Sequence, residues 1–155
     1  SGDKLRDAQW FQTGLAAYAG WSAWGPASSM DRATYESAMF AHYARNFSPD
    51  SATHLARLER EGDWKRAVRA NAAGVYAQAA LSALELARLL NPETLYMLAG
   101  LARDYPNFQQ AFERATGLRL ADFEKKLIEA LYPRVREFQR APAARETAQS
   151  GGTSN

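Results

Sequence analysis

Apolar residues return every three or four positions along most of this chain, and no stretch alternates with a period of two. The pattern predicts helices throughout. A first helix is expected over about Lys4 to Ala23, with Asp3 as its cap and Gly14 and Gly20 inside it. A loop at residues 25–30 leads to a second helix, Arg32 to Asn46, on which Tyr35, Met39, His42/Tyr43 and Phe47 recur at helical spacing. Pro49 breaks it. A short helix follows near Ser51 to Arg60, with Leu55 and Leu58 inward and Gly62 as its end.

Asp63 can then cap the longest element, Trp64 to Leu90. Trp64, Val68, Val75, Ala79, Leu86 and Leu90 form one face, and Tyr76, Leu81, Leu84 and Leu89 carry the apolar surface nearly all the way round. Only Asn71, Gln78, Ser82 and Glu85 make a polar stripe. Such a helix is expected at the centre of a bundle, and its many alanines permit close approach of neighbours. Asn91-Pro92-Glu93-Thr94 restarts the helical pattern: Asn caps, Pro takes the first position, and Glu complements the dipole. Pro106 opens a short helix with Phe108, Phe112 and Ala115 inward, stopped by Gly117. The last helix is expected over Leu120 to Leu131, kinked or ended by Pro133, with a short continuation returning Val135 and Phe138 to the core.

The predicted fold is therefore all-α, one domain of about five to seven helices around a long apolar one. Ser1-Gly2 reads as a cloning remnant, 3–140 as the helical domain and 141–155 as a flexible tail of small polar residues. The 155 residues suffice for a real core. A net charge of +2 is too small an excess to point to nucleic acid. With no cysteine, disulfides, thiolate metal sites and thiol nucleophiles are excluded. No apolar run approaches the ~18 residues that span a bilayer, so membrane insertion is not expected.

The segment Trp10-Phe11-Gln12-Thr13-Gly14-Leu15-Ala16-Ala17-Tyr18 resembles the helix that carries the third zinc ligand in gluzincin (peptidase MA-like) metallopeptidases, which read Trp-x-x-Glu-Gly-Leu-Ala-x-Tyr. Tyr76-Ala77-Gln78-Ala79, Leu95 to Leu101, Phe108-Gln109-Gln110-Ala111-Phe112 and Thr116-Gly117-Leu118-Arg119-Leu120-Ala121-Asp122-Phe123-Glu124 follow in the order of that family's later motifs. The resemblance covers about residues 8–131 and implies the C-terminal helical part of such a domain. It also implies a degenerate metal site. Thr13 stands where the family has its ligand Glu, and the His-Glu-x-x-His helix is absent. A neutral hydroxyl is a poor substitute for a carboxylate, and Gln12 lies about 100° away around the helix axis. Tyr76 matches the tyrosine that donates to the tetrahedral intermediate in some of these peptidases; the plainer expectation is a buried tyrosine. Thr13 and Tyr76 are thus vestigial candidates, and no metal or cofactor is expected.

Other candidate groups carry less chemistry. His42 and His54 lie twelve residues apart, without metal-ligand spacing. Glu59, Glu61 and Asp63 alternate with basic residues, as a salt-bridged junction does. Glu85 is expected to pair with Arg88 or with a basic neighbour. Ser22 lacks the strand that a nucleophile elbow requires. Trp10, Phe11, Trp21 and Trp24, crowded with Tyr18 into fifteen residues, are the candidate interaction surface. The expected function is a non-catalytic helical lobe, structural or protein-binding. Its partner would be another protein, an upstream lobe of the same protein, or a second copy. Two rivals stand beside it: part of an active zinc peptidase whose metal-binding helix lies upstream, and an unrelated helical binding module. Export is frequent in the family, so the resemblance leans toward the periplasm or outside.

Overall fold

In the computed structural model, which describes residues 8–151, three helices begin at capping side chains. Asp31 Oδ1 accepts from the Thr34 amide at 2.8 Å and starts α2 (Arg32–Ala44). Asn91 does the same for α4 (Pro92–Leu101) at 2.9 Å, and Asn107 for α5 (Phe108–Thr116) at 2.9 Å. The remaining helices are α1 (Gln9–Ala27), α3 (Glu61–Leu89), α6 (Leu120–Lys126) and α7 (Tyr132–Gly151). Short 3-10 turns at Pro49–Ser51 and Leu55–Leu58 join α2 to α3. The result is a single all-α domain, with no strand among the described residues. Gly117 ends α5 at φ 74°, a left-handed conformation that favours glycine.

Boundaries depart from expectation where tertiary contacts override local signals. The expected cap Asp3 lies outside the described residues, as do Ser1-Gly2. The start of α1 is instead tied by the Gln9 amide to the Glu59 carbonyl at 3.0 Å. Asp63 does not cap α3, which begins at Glu61 and takes Gly62 into its first turn. Asp63 and Glu61 sit in that turn, where negative charge complements the helix dipole. Pro133 does not end the final helix. A π turn at Leu127–Leu131 precedes it, with Tyr132 N–H donating to the Leu127 carbonyl, and the wider turn relieves the collision of a proline ring with the carbonyl four residues earlier. α7 is continuous to Gly151.

The long helix is also not one straight element. Asn71 is extended (φ −160°, ψ 81°) and divides α3. Its side chain accepts from the Gly74 amide at 3.1 Å, so Asn71 acts as an N-cap in mid-helix. A Cβ on Gly74 would collide with the Asn71 amide, so the pair works as a unit. Before the break the helix is mostly exposed apart from Trp64; after it, Gly74 to Ala87 are buried except for Tyr76. Leu89 and Leu90, expected inward, are exposed. Asn71→Ala should remove the cap and cost about 1 kcal/mol in urea unfolding. An unchanged midpoint would show that the break is imposed by packing alone.

α1 lies along the buried half of α3, and α2 and α4 pack on the same helix. α7 closes the bundle against α2, where Gln139 Nε2 donates to the Ala44 and Phe47 carbonyls at 2.9 and 2.5 Å. The Ala44 carbonyl is one that the end of α2 leaves without a helical donor, and Phe47 lies in the segment just beyond it.

Candidate functional site

The α1 sequence builds two faces. Trp10, Phe11, Gly14 and Tyr18 are buried. Ala16, Gly20 and Trp24, spaced by four, are exposed on another side. Trp10 and Phe11 therefore leave the expected interaction surface. Trp10 packs edge-on against Phe11 and Phe108, with centroids 5.9 and 5.7 Å away, because α5 brings Phe108 over the start of α1. Trp21 is half-buried and Trp24 is 47% exposed.

Trp21 and Trp24 meet edge to face at 5.4 Å. The His42 ring of α2 stands 5.9 Å from Trp21 and 4.8 Å from Tyr43. Trp21, Trp24 and Tyr43 flank an open groove of about 330 Å³ between α1 and α2. Ala16, Ala17 and Gly20 form its floor, and Trp21, Trp24 and Tyr43 its walls. No charged side chain lines it. His42, expected at an apolar core boundary, is exposed.

Thr13 is half-buried on α1, beside the point where bare Gly14 touches α3. Tyr76 is not in the core. It is 45% exposed, its ring lies edge-on to Trp64 at 5.7 Å, and its hydroxyl makes no hydrogen bond among the described residues. Ser22 is on helix α1 with a buried Oγ that has no hydrogen-bond partner among the described residues. His54 is exposed and does not join His42. Its Nδ1 lies 2.6 Å from Glu124 Oε1, while Glu124 Oε2 accepts from the Leu55 amide at 2.7 Å. No three His, Asp or Glu side chains converge in a metal-binding arrangement among the described residues. Nor is any helix there long and apolar enough to cross a membrane. The acidic junction is ion-paired, with Glu61–Lys65 at 2.6 Å and Asp63–Arg66 at 3.3 Å. Glu85 is buried and contacts Arg134 at 3.3 Å and Arg88 at 3.6 Å.

Sequence reasoning missed the residues that pin the connecting loops. The buried Gln78 side chain donates to the Thr53 carbonyl at 2.6 Å and accepts from its amide at 3.3 Å. Glu124, the last residue of the Thr-Gly-Leu motif, holds the His54-Leu55 turn. A glutamine in the polar stripe of an apolar helix was the available signal for the first. Nothing local signals the second.

Burial shifts two phenols. That of Tyr18, which donates to Glu36 at 3.1 Å, is raised by burial and then by Tyr35 and Glu36. Burial, then the charge of Glu124, pushes Tyr132 up to about 12, against the pull of Arg136. A phenol raised in the folded state contributes stability that is full below the unfolded value of about 10 and is lost as pH rises through the folded value. Tyr132→Phe should therefore flatten the fall in urea midpoint between about pH 10 and 12. An identical fall in the variant would remove Tyr132 as its source.

Comparison with protein-family models, with curated proteins and with solved structures gave no match to this chain.

Proposed function

We propose that this chain is a non-catalytic helical lobe of a gluzincin-like protein, serving as a structural and protein-interaction domain whose partner is a second copy of itself. The aromatic groove carries this reading. It places a protruding indole, Trp24, beside a floor of small residues, Ala16 and Gly20, on one exposed helix face. A knob and a hole on one patch are self-complementary under two-fold symmetry, so each copy can seat its Trp24 on the other's floor. Tryptophans centred in such a patch carry much of the association energy. The origin rests on the resemblance of residues 8–131, and its non-catalytic character on Thr13 at the position of the ligand carboxylate.

Sedimentation equilibrium tests the association. The wild-type chain should show a concentration-dependent dimer, and Trp24→Ser should weaken it by at least about tenfold. A monomer in both proteins at every concentration sinks the self-association. Zinc titration with a peptide substrate tests the remainder. Stoichiometric zinc with peptide cleavage by this chain would overturn the non-catalytic reading.

A further inference from the structure

A second pocket, on a different face from the aromatic groove, gathers two arginines over one carboxylate. It lies between α2, α3 and α7 and encloses about 360 Å³, within the range of small-molecule sites. Arg88 of α3 and Arg134 of α7 line it. Both reach the same atom, Oε2 of the buried Glu85, at 3.6 and 3.3 Å. A guanidinium has five N–H donors. Arg134 uses one nitrogen on Glu85, and neither arginine makes any other hydrogen bond among the described residues. The remaining donors are left along a pocket both side chains line, and both are partly open to solvent.

The charges do not balance. Two guanidiniums share one carboxylate. The other acid on the wall, Glu36, is paired with its own arginine: Glu36 Oε1 accepts from Arg32 at 2.9 Å and from the Tyr18 hydroxyl at 3.1 Å. Burial, then the like charge of Arg88, holds the Arg134 guanidinium below its ordinary value against the pull of Glu85. Apart from Ser37, the remaining walls are apolar. The Arg134 guanidinium stacks over the Phe40 ring at 4.8 Å, and Phe40 meets Phe138 edge to face at 5.7 Å. A planar cationic fork beside aromatic rings is suited to a carboxylate with an apolar body, since the fork offers paired N–H groups to two oxygens.

We propose that this pocket binds a carboxylate carried on an aromatic or branched apolar group, with Arg88 and Arg134 taking its oxygens and Phe40 and Phe138 its body. The carboxylate can come from a small free acid or from the C-terminus of a peptide, and the test separates these sources. Phenylacetate is titrated into the full chain and followed by amide chemical shifts, alongside the neutral phenylacetamide and N-acetylphenylalanine. Saturable millimolar binding of phenylacetate is expected, with the amide at least about tenfold weaker. Tighter binding of N-acetylphenylalanine assigns the site to a chain terminus, and weaker binding assigns it to a free acid. Arg88→Gln and Arg134→Gln should each weaken phenylacetate about tenfold. Each leaves Glu85 one arginine, so neither strands a buried charge. The comparison of acid with amide needs only the wild-type chain and stands even if a variant unfolds. No saturable shift with phenylacetate, equal binding of the amide, or undiminished binding by a folded Arg88→Gln protein would overturn the proposal.

Discussion

Trp10→Ala is expected to destabilise the domain by about 3–5 kcal/mol, the range for emptying a buried tryptophan site. Trp10 has no exposed surface and stands edge-on to Phe11 and Phe108, so the cavity would open where α1 meets α5. Neighbours already close-packed around it cannot collapse fully into that space. Trp24→Ala, measured in the same way, should change stability by less than about 1 kcal/mol, because the ring is largely solvated and its main contact is one edge with Trp21. Urea unfolding at low protein concentration reads both. Equal losses would mean that the two faces of α1 have been assigned wrongly. Trp10→Phe adds a finer check. The Trp10 indole N–H is buried without a hydrogen-bond partner among the described residues, so losing that donor offsets part of the lost volume. The phenylalanine variant should therefore retain most of the wild-type stability.

Gly14→Ala should cost about 3 kcal/mol, the upper part of the range for overpacking. A Cβ there would collide with the Ala79 carbonyl and come within 2.8 Å of the Ala83 Cβ. The carbonyl is backbone and cannot swing aside, so α1 and α3 would have to separate along their shared contact. For a domain of this length the loss corresponds to roughly 10 °C in melting temperature. Gly20→Ala supplies the opposite sign on the same helix. A Cβ there meets nothing, and the substitution should gain about 0.5–1 kcal/mol through a less flexible unfolded chain. If both variants melt alike, the close approach of the helices at Gly14 is not what holds them.

The candidate surface was half legible. Phe11, Gly14, Tyr18 and Gly25 fall on one helical stripe, while Ala16, Gly20 and Trp24 fall on another. Periodicity separates the stripes but cannot say which one α3 covers, since both contain large or small apolar residues. The four aromatics were therefore grouped as one surface, and packing split them. By period alone Asn71 belongs to a polar stripe. The collision of its amide with any Cβ at position 74 explains why a glycine follows three residues later, and that pairing was the overlooked sign of a second helix start.

The amino-acid sequence by itself determined the helical class, the starts at Asp31 and Asn91, the stop at Gly117 and the burial of Leu95, Leu98, Phe108 and Phe112. Each follows from forces acting within a few residues: a side chain reaching the next turn's amide, a glycine in left-handed backbone, an apolar stripe of helical period. The tertiary structure alone decided which tryptophans are covered. It also brought Arg134 to Glu85 across 49 residues and Glu124 to His54 across 70. Those meetings depend on where whole helices lie against one another, and no local preference of the chain encodes them.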